Sequence, residues 1–145
     1  MEDHLAQTIM NDAEMQAFFQ AGRDPFDWFY ASSSLGNGDN PAVPTKPYVV
    51  WNELPAVAYQ QVKKLSDAQL RTFNLYVYDE KGDFTRINAM LRVLRRIVKV
   101  DLDHFQLEDG TRCSASEWVG ISGNIEDDGY DACVRFGTAR FTVNR

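Results

Sequence analysis

Between residues 73 and 100 the chain changes its apolar period once, and that change limits what it can fold into. Phe73, Leu75 and Val77 alternate with Asn74, Tyr76 and Tyr78, the two-residue repeat of a strand with one buried face. Asp79, Glu80, Lys81 and Gly82 break the repeat with turn residues. Asp83 then stands where a carboxylate would accept the first free amides of a helix. From Thr85 onward Ile87, Met90, Leu91, Leu94, Ile97 and Val98 recur at steps of three and four, a wide apolar stripe along one side of a helix. Arg86, Arg92, Arg95, Arg96 and Lys99 fill much of the remaining surface. The unit this describes is packed α+β with one cationic helix face.

The flanks supply the remaining elements. Leu5, Ile9, Ala13, Met15, Phe18 and Phe19 are loosely spaced as a first helix, with Gly22 as its C-cap and Asp24-Pro25 as its stop. Phe26, Trp28, Phe29 and Tyr30 follow as an aromatic cluster, read either as a lid on the core or as a subunit contact. Residues 31–47, small and polar with two glycines and three prolines, make a flexible loop that is a plain surface excursion or a partner contact. Residues 48–51 read as a strand and 56–70 as an excursion between two paired strands. After the central helix, Asp101-Leu102-Asp103 and Glu108-Asp109-Gly110 bracket a short strand at 104–107. Residues 116–125 and 130–143 are two longer strands, joined through Glu126-Asp127-Asp128-Gly129, an Asp-Gly hairpin signal. In the last strand Cys133, Arg135 and Gly137 share one face, and the Gly137-Thr138 step is a candidate bulge. The expected architecture is a single α+β domain over residues 1–145, a largely antiparallel or mixed sheet with helices packed on one face.

At 145 residues one core accounts for the chain, burying about two-thirds of its unfolded surface. A hydrophobic fraction of 44% beside 25% charged residues excludes the disordered and collagen-like classes. The net charge of −6 argues against non-specific DNA or anionic membrane binding, since phosphate-seeking proteins are usually basic. The opening Met-Glu-Asp-His lacks the basic and apolar regions of a secretory signal, and no apolar run approaches a membrane span of about 20 residues. A soluble protein made inside the cell is expected.

No constellation for catalysis or metal binding emerges. Cys113 and Cys133 stand alone, without a CxxC pair or adjacent histidines, which favours free buried thiols over a disulfide or zinc site. His4 and His104 have no shared site. Gly36-Asn37-Gly38 follows serines and precedes no helix, so it is not a phosphate loop. Glu126, Asp127, Asp128 and Asp131 lack the ligand spacing of a calcium loop and read as a solvated hairpin tip. The helix cations allow three accounts: a solvated face, docking on carboxylates of neighbouring subunits, or a phosphate track, the last disfavoured by the net charge.

Three stretches in order resemble a known family. Pro-Tyr-Val-Val at 47–50, Arg-x-Phe-x-Leu-x-Val at 71–77 and the Arg- and Leu-rich helix at 87–98 are similar to the tail terminator (tail-completion) proteins of long-tailed bacteriophages. Asp128-Gly129-Tyr130-Asp131 leading into 132–143 looks like that family's closing strand. The resemblance covers residues 47–145; the aromatic N-terminal segment and the 31–47 loop have no counterpart in it.

What it implies is a structural virion protein without enzymatic activity, cofactor or metal. Such proteins form a hexameric ring on the last tail-tube ring, end tube growth and present a surface to the head-side connector. The implied partners are copies of itself as a homohexamer, the major tail tube protein and the connector or stopper. DNA passes the lumen without specific binding, no membrane is involved, and assembly takes place in the host bacterial cytoplasm. Arg86, Arg92, Arg95, Arg96 and Lys99, with Glu126, Asp127 and Asp128, are then candidates for the subunit interface. Leu35, Asn37, Asp39, Tyr59, Lys63 and Lys64 are candidates for loops that contact tube or connector. A head-completion (stopper) ring protein is the nearest alternative. From another class, a small-molecule-binding or enzymatic α+β fold would line a pocket with Trp28, Tyr48, Trp51, Tyr76 and Tyr78.

Overall fold

A computed structural model describes residues 1–55, 57, 58 and 69–144. Its centre is the strand read from the sequence, longer than expected: β4 (Gln69–Asp79) buries Phe73, Leu75, Val77 and Asp79 and leaves the alternate positions half-buried. The strands on either side of it are β2 (Tyr48–Glu53) and β7 (Ala132–Asn144), both antiparallel to it. β1 (Phe29–Ala31) lies parallel to β2 at one edge, and β5 (Arg112–Ile121) pairs with β7 at the other, giving the order β1-β2-β4-β7-β5. Two short strands complete the sheet: β3 (Val57–Ala58) beside β4, and β6 (Ile125–Asp127) beside β7. A mixed sheet with helices against it is the α+β architecture expected.

The helices take one face. α1 (Glu2–Met10), α2 (Ala13–Gln16) and α3 (Thr85–Arg96) bury Leu5, Ile9, Met15, Ile87, Met90 and Leu94 in one core with Phe73, Leu75, Val77 and Phe141. Each such buried side chain contributes about 1.5–3 kcal/mol relative to exposure. Asp83 behaves as its position suggests: its carboxylate accepts the Thr85 amide at 2.8 Å. At its other end α3 widens into a π turn (Ile97–Asp101), closed by Leu102 N–H donating to Ile97 O at 2.9 Å. The extra residue keeps Ile97, Val98 and Leu102 all inside the core.

The opposite face carries a cluster of aromatic side chains. Tyr48 stacks on Tyr78 with centroids 4.8 Å apart, Tyr78 meets Tyr130 edge-on, and Tyr76 packs on Phe136. The 31–47 segment lies against this face through Leu35. Its turns are tied internally, Asn40 Nδ2 donating to Ser34 O at 3.1 Å and Gly36 N–H to Pro41 O at 3.2 Å.

Four expectations are corrected. The first helix is two, because Asp12 interrupts it and its carboxylate caps the second by accepting the Met15 amide at 3.0 Å. Residues 104–107 form no strand: Gln106 makes an isolated bridge to Arg112, and His104 turns the backbone with a positive φ of 57°. The irregularities of the last pairing lie in β5, between Cys113 and Ala115 and between Trp118 and Gly120, and not at Gly137-Thr138. The Glu126–Gly129 turn does make a hairpin, but its first arm is the short β6, β5 having already ended at Ile121. Both cysteines are free and buried, as expected.

Candidate functional site

The five helix cations divide by position. Arg86 grips Asp79, the buried end of β4, with Nε 2.6 Å from Oδ2, and that hydrogen bond holds the guanidinium's pKa above its ordinary value. Arg96 reaches Asp12 at 2.8 Å, Glu14 at 3.0 Å and Asp101 at 2.5 Å, locking α2 and the π turn to α3. These two cations are engaged within the chain. Arg92, Arg95 and Lys99 are exposed, and no ion pair to them is formed among the described residues.

Arg92 and Arg95 border a groove between α3 and the free edge of the sheet. Leu91, Trp118 and Ile121 give it an apolar floor, and Asn88 and Arg135 close one end; its volume is about 260 Å³. Arg135 is held there, donating to Ser122 O at 2.8 Å and to Asn88 Oδ1 at 2.5 Å. Gly137 makes the floor possible, since a β-carbon on it would land inside the Trp118 indole. Sequence reasoning missed Trp118, Ile121 and Arg135. The only signal was a glycine within a strand; the register that sets Trp118 opposite Ala139 and Ile121 opposite Gly137 is not written locally.

The acidic hairpin tip is partly neutralised. Lys81, from the turn after β4, lies 2.8 Å from Asp128 and 3.5 Å from Asp131, and its hydrogen bond lowers the Asp128 pKa. Asp127 accepts the Tyr130 amide at 3.2 Å, and Glu126 is exposed. Of the loop candidates, Leu35 packs on the aromatic face while Asn37 and Asp39 are exposed. Tyr59, Lys63 and Lys64 lie outside the described residues.

The five aromatics of the pocket alternative are not brought together. Trp28 and Trp51 lie with the helices, Trp28 stacked on Phe19 at 4.1 Å, while Tyr48, Tyr76 and Tyr78 lie across the sheet from them. Burial first, then neighbouring phenols and Asp127, push the Tyr48 hydroxyl well above its ordinary pKa. Burial and Asp127 likewise raise Tyr78, to about 12. Neither phenol is poised to exchange a proton near neutrality. Among the described residues no helix is long and apolar enough to cross a membrane.

A solved structure, the virion of a native gene transfer agent particle, contains a chain of the same fold. The two superpose with a TM-score of 0.69 at 15% sequence identity, over 97% of this chain and 92% of that one. At this identity the likeness is one of fold. No family model and no curated protein sequence matches this chain.

Proposed function

We propose that this chain is a structural virion protein, the subunit of a homohexameric ring that caps the tail tube, ends its growth and offers the head-side connector a joining surface. The observation that carries the reading is the near-full-length likeness of fold to a chain of a gene transfer agent virion. The order of strand, helix and closing hairpin that resembles tail terminators supports the finer assignment. Charge supports it too. A subunit with a net charge of −6 repels DNA passing through a lumen and does not retain it, while Arg92 and Arg95 stand exposed on one helix, where they can meet carboxylates of a neighbouring copy. Arg86 and Arg96 pair within the chain, and burial raises the pKa of the Cys113 thiol and of the Tyr48 and Tyr78 phenols.

The test uses purified protein and tail tubes polymerised from the major tail protein of the same genome. Native mass spectrometry and negative-stain imaging are expected to find six copies at one tube end and a narrowed distribution of tube lengths. A protein that stays off the tubes, leaves their length unchanged and is missing from purified particles would overturn the reading.

A further inference from the structure

Phe26 is the most exposed large apolar side chain among the described residues, at 69%. It is carried on a one-turn 3₁₀ helix, Pro25–Asp27, and flanked by two exposed carboxylates, Asp24 and Asp27. The turn is braced. Asp24 accepts the Phe26 amide at 3.0 Å, and the Arg23 guanidinium donates to Asp27 O at 2.7 Å, Thr45 O at 2.8 Å and Pro47 O at 3.1 Å. An aromatic ring held into water between two acids by a fixed backbone is a knob looking for a socket.

The socket of matching chemistry is the groove between α3 and β5. Its floor of Leu91, Trp118 and Ile121 is apolar, Ile121 being 50% exposed, and Arg92 and Arg95 stand at its rim. At about 260 Å³ it is smaller than the roughly 300–1,000 Å³ of small-molecule sites, and it suits one side chain. The knob precedes β1 and the groove borders β5, the two opposite ends of the sheet. A chain therefore cannot fill its own groove, but the next copy can.

We infer that successive copies join head to tail, Phe26 of one seated on Trp118 and Ile121 of the next, with Asp24 and Asp27 facing Arg92 and Arg95. This rests on the ring-forming reading above and names the contact that builds the ring. Two different surfaces at opposite ends of one subunit make a heterologous contact, which closes when the rotation per copy divides a full turn. Arginine–carboxylate pairs around an aromatic anchor supply both register and attraction.

The test is a complementation with two variants, each blocked on one side: Phe26→Ser/Asp27→Asn lacks the knob, and Arg92→Glu/Arg95→Glu lacks the socket. All substituted positions are exposed, and circular dichroism melts establish that both variants fold. With tubes present, native mass spectrometry should find each variant needing at least tenfold more protein than wild type to assemble. Their equimolar mixture should give heterodimers that go no further, since only one intact knob and one intact socket remain. Wild-type rings together with variant rings of undiminished yield would overturn this contact while leaving the ring-forming reading in place. Folded variants whose mixture stays monomeric would do the same. A wild type that never assembles overturns both.

Discussion

A β-carbon on Gly137 would occupy the space filled by the Trp118 indole, so this glycine is selected by its neighbour across the strand pair. Gly137→Ala is expected to lower stability by about 1–3 kcal/mol, the usual range for overpacking, read from urea unfolding midpoints. In the double variant with Trp118→Ala the clash is gone, so the summed loss should fall short of additivity by 0.5 kcal/mol or more, on the order expected for touching residues. Additive losses would separate the two positions. The sequence marks Gly137 as unusual within a strand and suggests a bulge, because the local pattern carries no information on what lies opposite. The arginines carry the same lesson. Five cations on one helix read alike until tertiary contact delivers Asp79 to Arg86 and Asp12 to Arg96.

At the scale of elements, Arg96 is the clasp of the N-terminal helices. It joins α3 to Asp12, Glu14 and Asp101 at once, and Asp12 is also the cap of α2. Loosening one end of this network loosens the break between α1 and α2. Arg96→Ala is therefore expected to cost about 1–2 kcal/mol, more than a lone surface pair because three carboxylates lose their partner. Arg92→Ala, one turn away and unengaged among the described residues, should stay within about 0.5 kcal/mol of wild type. Paired thermal melts decide between a clasp and an interchangeable surface charge. The division of the first helix into two was legible in principle from Asp12, a good N-cap residue. The loosely spaced apolar positions on both sides of it concealed the break, since a kink and a continuous helix bury nearly the same residues.

Over the whole molecule, the period change at 73–100 placed the central strand, the main helix and their shared core, because burial writes its period directly into sequence. Edge features resisted: β1 has three residues, β3 two, and the groove exists only where α3, β5 and β7 converge. The helical layer and the sheet are also joined by charge, and this sets how the fold responds to acid. Arg71 of β4 pairs with Glu53 of β2 at 2.7 Å and with Glu2 of α1. Glu2 is held below its ordinary 4.5, first by its backbone hydrogen bond and then by Arg71, against the opposing effect of burial. A depressed carboxyl favours the native state fully above its ordinary value, and that contribution is lost as pH falls through the folded value. His4, also on α1 and packed on Phe105 at 4.4 Å, is held below its ordinary 6.5 by burial and by the chain's amino terminus. There the unfolded chain takes up the proton first, so stability begins to fall as pH drops below 6.5. Acid should thus weaken the protein in two steps, one beginning near 6.5 and a second below 4.5. Urea midpoints followed from pH 8 to 3 are expected to lose the upper step in His4→Gln and to flatten in the lower step in Glu2→Gln. A wild-type profile level from pH 7 to 5, or single variants that leave both steps intact, would mean that α1 is not coupled to the sheet through its own titrating groups.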